Sequence, residues 1–600
     1  MGVKFNHLCY GGDYNPDQWL EYPEILEEDI RLMKKAHVNT VSLGIFAWAK
    51  LEPEEGVYDF DWMEEIINRL YENGIYVFLA TPSGARPHWL ADRYPEVLRV
   101  NEMRQKNIFG QRHNHCYTSP IYRQKVRQIN MKLAERFGDH PGVLMWHISN
   151  EYGGECHCPL CQSAFRGWLK KKYNNDIKEV NRKWNTAFWS HDYQNFDQIE
   201  SPTPLGETSI HGLVLDWKRF VSDQTIDFCK AEIQALRDAG NHKPVTTNLM
   251  YNFSTINYHE MAKVLDVVSW DNYPQWHKGP ERLVAMDNGM QHDIMRTLKK
   301  EPFILMESCP GPTNWQSVSK LKRPGMLETA SLQAVAHGTD SVMYFQIRKG
   351  RGGFEKFHGA LIDHYGKEDE RTYQECKEVG ADLEQIDELK HANVKADVAV
   401  IYDWENRWAV EEAQGPRNKG MFYKNTIKKP VLRFDLNSEK RGYDALQADA
   451  CHLPVKDSSI GCMILDPPFM FGTHGQTKNS VINKRYTMFD NFAELKKCYQ
   501  GILSEAYRIL KRNGLLIFKC QDYTDNRTTM THCLVWMWAV QIGFYAKDIA
   551  ILNLPIAKIY NGNLAQKHLR KSHCYFWVFQ KNSGDKNTNT ELLKNRSESA

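Results

Sequence analysis

Two glutamates stand out in this 600-residue chain because each closes an apolar run. WHISNEYGG places Asn150 and Glu151 after one run, and ILMES places Glu307 near the end of another. A carboxylate is costly to desolvate, so one that ends a hydrophobic strand is often there because chemistry uses it. Either alone could be a salt-bridged structural residue. Two of them, each amid Trp and Tyr, match the apparatus of glycoside hydrolysis, in which one carboxyl protonates the departing oxygen and the other attacks or activates water. A second group is the C-x-C-x-x-C of Cys156, Cys158 and Cys161, directly after Glu151, with Cys116 upstream. Four thiolates fill the tetrahedral shell of Zn²⁺ and leave no open position, so such an ion would be structural. A third group, Asp466, Pro467, Pro468 and Phe469, ends an apolar strand in a stiff turn. It offers a carboxylate, a carbonyl and a ring, the contacts an amino-methyltransferase needs on a flipped base.

The elements that must position these groups alternate. Strand-like runs cover Leu8 to Tyr14, Thr40 to Trp48, Tyr76 to Thr81, Val143 to Ser149, Pro244 to Met250, Val267 to Tyr273, Phe303 to Glu307 and Ser341 to Ile347. Between them lie helix-like segments with apolar residues three and four apart, such as Glu24 to Ala36, Asp61 to Asn73, Ile121 to Phe137 and Thr225 to Ala239. Strands separated by helices are parallel, and eight of them imply an α/β chain with a (β/α)8 TIM barrel over residues 1–390. Catalytic groups of such barrels sit at the C-terminal rim, where Glu151 and Glu307 fall. Trp19, Trp48, Trp270, Tyr273, Trp276, Trp315 and Phe345 lie near that rim and could stack on sugar faces or simply fill the core.

After Lys390 the pattern changes. Ala396 to Tyr402 reads as a strand followed by a turn or short helix, the start of a domain that stops near residue 424. A separate small α/β unit spans 425–581, with strands in PVLRFD, LQADACHLP, GCMILDPPF, LLIFKC and CYFWVFQK and a helix from Phe492 to Leu510. The apolar stretch Cys533 to Val540 reads as buried core. Residues 582–600, rich in Asn, Ser, Thr, Lys and Glu, read as a disordered tail.

GGDYNPDQW, LATPSGARPHWL, GQRHNHCYTSP, WHISNEYGG, VVSWDNYP, LMESCPGPTNWQ and GGFEKFHGA together resemble glycoside hydrolase family 42, the β-galactosidases, over about residues 5–424. The resemblance implies a retaining mechanism with Glu151 as general acid/base and Glu307 as nucleophile. It implies a galactose subsite lined by Arg112, Asn150, Tyr273, Trp315, Glu355 and His358, a four-cysteine zinc site and a homotrimer. The trimer is in question because the domain that makes it is cut short. Such chemistry requires Glu151 protonated at the start and Glu307 ionised. Residues of about 430–580 resemble the DNA N6-adenine or N4-cytosine methyltransferases, which implies S-adenosylmethionine as cofactor, with Phe434, Asp435 and Asp449 as candidates for its ribose and adenine. The Gly-rich loop that holds that cofactor is missing: between Met421 and Ile460 the only glycine is Gly442. That argues against methyl transfer and for a remnant.

The composition, 25% charged and 42% apolar, is that of a globular protein and excludes wholesale disorder. No apolar run is long enough to span a membrane, the N-terminus has no secretory stretch, and a cytoplasmic location is expected. The net charge of +2 hides an asymmetry, with 51 Lys+Arg against 59 Asp+Glu up to residue 425 and 25 against 15 beyond it. A basic C-terminal part is compatible with DNA contact. Three readings compete: a galactosidase carrying a methyltransferase-like fragment, a nucleic-acid enzyme or binding module whose working part is the C-terminal unit, and a hybrid chain without function.

Overall fold

The computed structural model describes residues 3–251, 253–396, 402–413, 434–435, 446–447, 449–467, 489–524, 528–553 and 573–582. The chain divides into two compact units, Met1–Lys395 with Asp403–Asn425, and Ala396–Tyr402 with Thr426–Ala600.

The first unit is the expected barrel. Its strands are β1 (Cys9–Tyr14), β2 (Thr40–Leu43), β3 (Tyr76–Ala80), β4 (Val143–His147), β5 (Val245–Thr246), β6 (Asn248–Met250), β7 (Ser269–Asn272), β8 (Ile304–Ser308) and β9 (Ser341–Tyr344). All pairings among them are parallel, in the orders β5-β4-β3-β2-β1-β9 and β6-β7-β8. Two links close the circle. Thr247 separates β5 from β6, so the run read as one strand over Pro244 to Met250 is a single barrel position broken at its middle. β8 joins β9 through Asp340 N–H to Phe303 O (2.9 Å) and Phe345 N–H to Ser308 O (2.8 Å).

Packing accounts for the sequence pattern. Cys9, Phe78, Met145, Ile304, Met306 and Met343 point into the barrel with Phe5 and Val267, filling it as a core. The helix Pro120–Phe137 starts on a proline whose missing N–H costs nothing there, and Ser119 Oγ accepts from Tyr122 N–H. Two boundaries differ from the sequence reading. The run Thr40 to Trp48 is a strand only to Leu43, because Gly44 turns the chain at φ 85° and Trp48–Leu51 forms a helical turn. The helix read as Thr225 to Ala239 runs from His211 to Asp238, its first half buried against the cysteine-bearing segment. The short helix Trp404–Glu412 packs on that long helix through Lys218–Glu412 (2.5 Å) and Arg219–Glu405, and Trp404 and Trp408 are buried.

The second unit contains β10 (Phe434–Asp435) parallel to β11 (Leu446–Gln447). Its main sheet is built from β12 (Ile460–Leu465), β13 (Leu510–Cys520), β16 (Phe544–Asn553) and β17 (His573–Lys581) in the order β12-β13-β17-β16, with a small hairpin of β14 (Tyr523–Thr524) and β15 (Thr528–Thr529). Only β12 and β13 are parallel; the other two ladders of the sheet are antiparallel. The helices Phe492–Ile509 and Thr531–Ile542 cover it around Tyr499, Leu503, Phe518 and Trp538. The stretch read as buried core from Cys533 is this second helix, and its first residue of that stretch, Cys533, is exposed. The expected strand at Ala396 to Tyr402 lies mostly, and the expected disordered tail beyond Asn582 wholly, outside the described residues. No helix among the described residues is long and apolar enough to cross a membrane.

Candidate active site

Glu151 follows β4, and Glu307 lies within β8, on the far side of the barrel rim. The chain brings them together: carboxylate oxygens of Glu151, Asp271 and Glu307 all lie within 4.8 Å of one another. Glu307 is buried, and Tyr273 Oη donates to its Oε2 (2.5 Å) while Asn248 Nδ2 donates to its Oε1 (2.9 Å). Glu151 is paired with Arg112 Nη2 at 2.6 Å.

The backbone that presents Glu151 is strained. Ser149 and Glu151 have φ of 54° and 42°, a region that side chains with a Cβ seldom adopt and that is held only where neighbours over-determine it. The neighbours here are Thr81 Oγ1, which accepts from Ser149 N–H (2.7 Å), and Asn248 Oδ1, which accepts from Glu151 N–H (2.7 Å). Asn248 is the hub of the site. Its Nδ2 also lies 2.7 Å from Asp271 Oδ2 and 2.9 Å from Asn150 Oδ1, so one amide with two hydrogens faces three acceptors. His147 Nε2 sits 3.0 Å from Asn248 Oδ1 and its Nδ1 3.0 Å from Ser42 Oγ. Burial lowers His147 to about 4, so the ring is neutral and serves as a strut.

Sequence reasoning placed the proton on Glu151 and the charge on Glu307. The structure instead favours a proton on Glu307. Burial, reinforced by the charge of Glu151, pushes Glu307 up to about 8, whereas Glu151 holds the Arg112 guanidinium. Asp271 and Asp13 are also held well above the carboxylate range, burial first and Glu307 second. Each such acid binds a proton more tightly in the folded chain than in the unfolded one. Its stabilising contribution is therefore complete below the unfolded value, 4.5 for Glu307, and is lost as pH climbs to about 8. Glu307→Gln, which cannot ionise, should melt above the parent at pH 8 and higher, by on the order of a few kcal/mol, with the gap closing toward pH 4.5. Melting curves across that range check it; a gap independent of pH would contradict it.

The other expected subsite residues gather around this pair. Among the described residues, buried Asn150 has no partner for Nδ2, and buried His358 none for Nε2. The His358 ring lies edge-on to Tyr273 and Phe345, at 5.8 and 5.0 Å. Trp315 stands edge-on to Tyr273 at 5.2 Å and is 45% exposed, an open platform. Glu355 is half-buried; its pKa is raised by burial, with Arg112 opposing and Glu151 reinforcing. FEKFH is a hydrogen-bonded turn, His358 N–H to Glu355 O at 2.9 Å. Of the rim aromatics, Trp48 and Trp270 are wholly interior, and Trp19, Trp276 and Phe345 are buried. Three residues escaped sequence reasoning: Asn248, Asp271 and Asp13, the last buried with neither carboxylate oxygen hydrogen-bonded among the described residues. The signal for Asp271 was available, since it is a second acid at the end of an apolar strand; nothing local marks Asn248.

Cys116, Cys156, Cys158 and Cys161 are buried and free, with all four sulfurs within 4.8 Å of one another. Cys116 Sγ is 3.6 Å from Cys158 Sγ and 3.4 Å from Cys161 Sγ. A tetrahedral zinc with Zn–S of about 2.3 Å places sulfurs about 3.8 Å apart, so the set fits that ion after shifts of a few tenths of an ångström. The backbone N–H of Val100 points at Cys156 Sγ (3.4 Å), a partner suited to a thiolate. Arg99 ties the cluster to the acid-bearing loop by donating to Gly153 O (2.7 Å) and His115 O (2.8 Å). Gly154 has φ 74°, and a Cβ there would fall 2.0 Å from Arg99 Nη1, so this loop needs glycine.

In the second unit Asp466 is exposed at the end of β12 and paired with Lys519 Nζ (2.7 Å), and Pro467 follows it buried. Pro468 and Phe469 lie outside the described residues. Phe434 and Asp435 form β10, and Asp449 is engaged locally, accepting from Cys451 N–H (2.9 Å) and facing His452 Nδ1 (3.0 Å).

Comparison with known proteins decides the family. A model of the glycoside hydrolase 42 family, described as beta-galactosidase, matches residues 13–386. The chain belongs to glycoside hydrolase family 42. Beta-galactosidase BglY of Alicyclobacillus acidocaldarius is 60% identical over 422 residues, covering 70% of this chain and 61% of the relative. Beta-galactosidase GanA of Bacillus subtilis is 53% identical over 435 residues, 71% and 65% of the two chains. Among solved structures, a beta-galactosidase from Rahnella sp. R3 has 53% identity and a TM-score of 0.70 over 71% of this chain and 63% of its own. A catalytic mutant of Gan42B, a family 42 enzyme from G. stearothermophilus, has 54% identity and a TM-score of 0.68 over 69% and 62%. The family 42 chain thus spans less than two thirds of the length of these relatives. A model described as DNA methylase matches residues 460–600, which supports the methyltransferase-like character of the C-terminal fragment.

Proposed function

We propose that the barrel is a retaining β-galactosidase, with Glu307 as nucleophile and Glu151 as general acid/base. One observation carries the reading: the carboxylate oxygens of these residues lie within 4.8 Å of each other, close enough to act on one anomeric carbon and without the wider gap that an inverting enzyme leaves for water. Galactose is the sugar favoured by the names of the relatives.

The resting charges must be exchanged for reaction. Arg112 is half-exposed and the only ion-pair partner of Glu151 among the described residues. Arg112, which pairs with Glu151, is placed to turn to a sugar hydroxyl and release that carboxyl for the reaction. Glu307 passes its proton to the adjacent Glu151, and the N–H of Asn248 and O–H of Tyr273 hold the resulting Glu307 carboxylate. Glu307 attacks the anomeric carbon as Glu151 protonates the leaving oxygen; Glu151, now a base, activates water to release the sugar. Asn150 Nδ2, His358 Nε2 and the carboxylate of Asp13, which have no hydrogen-bond partner among the described residues, suit sugar hydroxyls. The four cysteines suit a structural zinc that fixes the loop presenting Glu151.

The test is turnover of nitrophenyl glycosides by the full-length chain, with galactoside preferred and the first product, followed by NMR, of retained configuration. An inverted first product overturns the covalent route. Tyr273→Phe removes a hydrogen bond that lowers the pKa of Glu307. The acidic limb of the kcat/KM profile should move up by about one pH unit and activity at pH 7 fall about tenfold. An unmoved limb would take Tyr273 out of this role.

A further inference from the structure

The second unit carries a nucleophile that neither family accounts for. Of the fourteen cysteines, all of them described, only Cys533 is exposed. It is the third residue of the helix Thr531–Ile542. Its Sγ lies 3.2 Å from Nε2 of the adjacent His532, whose Nδ1 lies 2.6 Å from Oδ1 of Asp522. Asp522 is buried and accepts also from the backbone N–H of His532 (3.2 Å), so its charge is spent at the start of that helix. The imidazole is clamped on its face as well: it stacks on the Tyr575 ring at 4.0 Å and 13°.

These contacts fix the tautomer. A buried carboxylate can only accept, so Nδ1 carries the hydrogen and Nε2 presents its lone pair to the thiol. That is an orienting acid, a base and a nucleophile in series, the arrangement that activates a weak nucleophile. We propose that Asp522, His532 and Cys533 form an activated thiol site on the C-terminal unit that reacts with small electrophiles of the hydroperoxide class.

The chemistry balances within the site. His532 Nε2 takes the thiol proton, leaving a thiolate beside an imidazolium that Asp522 stabilises. Sγ attacks the distal oxygen of the hydroperoxide; the S–O bond forms as the O–O bond breaks. Sulfur is oxidised to the sulfenic acid, the peroxide is reduced, and the departing alkoxide or hydroxide takes the proton from Nε2. Among the described residues, the titratable groups that interact with Asp522 and Cys533 include Tyr575 and the buried Cys520, which itself faces the buried Cys574.

The experiment is timed alkylation of the full-length chain by iodoacetamide, read cysteine by cysteine by mass spectrometry, with a short cysteine peptide in the same tube. Cys533 should react about tenfold faster than the peptide at pH 7, with a pH midpoint below the ordinary thiol value of about 8.5. His532→Gln should return both rate and midpoint to the peptide's, and Asp522→Asn should fall between. Dilute hydrogen peroxide followed by dimedone should tag Cys533 in the parent chain and not in His532→Gln. Labelling of buried Cys520 and Cys574 reports whether a variant has lost its fold. If it has, the parent's rate and midpoint alone decide. A parent Cys533 no faster than the peptide, or a folded His532→Gln with unchanged rate and midpoint, overturns the proposal.

Discussion

Glu307→Gly should abolish turnover of a nitrophenyl β-galactoside, by about 10⁴- to 10⁶-fold, the scale on which removal of a nucleophile falls. The loss is not diagnostic alone, because removing a buried acid from a site containing Asp13, Asp271 and Glu151 also rearranges its charges. Rescue by azide is diagnostic. Azide can occupy the room left by the Glu307 side chain and attack the face that Glu307 would have attacked; no second displacement follows, so the α-glycosyl azide accumulates. In Glu151→Gly the first displacement by Glu307 still proceeds with a good leaving group, and azide enters from the acid/base side to give the β-glycosyl azide. Opposite anomers from the two variants establish the two roles. The same anomer from both, or activity within about tenfold of the parent in Glu307→Gly, would refute the assignment.

The second large effect is on the four-cysteine cluster. The purified chain should contain about one zinc per molecule, and Cys158→Ser should lose it. Leaving three thiols buried without their ion exposes a polar cluster to a low-dielectric interior, at a cost above about 4 kcal/mol and several degrees in melting temperature. Activity falls with it, because Arg99 connects the segment of His115 and Cys116 to Gly153, two residues beyond Glu151. Chelation should reproduce both effects and added zinc reverse them. Full metal content in Cys158→Ser, or a melt indifferent to chelation, would show that the cysteines serve packing alone.

The expected outcomes rest on features of unequal legibility. The barrel was readable because β-rich runs alternate with three- and four-spaced apolar segments, and parallel strands joined by helices leave few topologies. Glu151, Glu307 and the cysteine trio were readable because each breaks a local pattern: an acid ends an apolar strand, or thiols cluster within six residues of chain. Asn248 breaks none. It lies in TTNLM, where a polar residue in a short strand signals nothing, yet it touches Glu307, Asp271, Asn150 and the backbone of Glu151.

What the sequence determined by itself is the inventory and the order: the kinds of groups, the strands that carry them and the side of the barrel on which they emerge, all set by local periodicity and by the chemistry of side chains. Only the tertiary structure decided how tightly Glu307 holds a proton. That depends on burial and on the distances of Glu151, Tyr273 and Arg112 from Glu307, residues separated from it by up to 195 positions in the chain. Coulomb and desolvation energies depend on separation in space, which spacing along the chain does not contain.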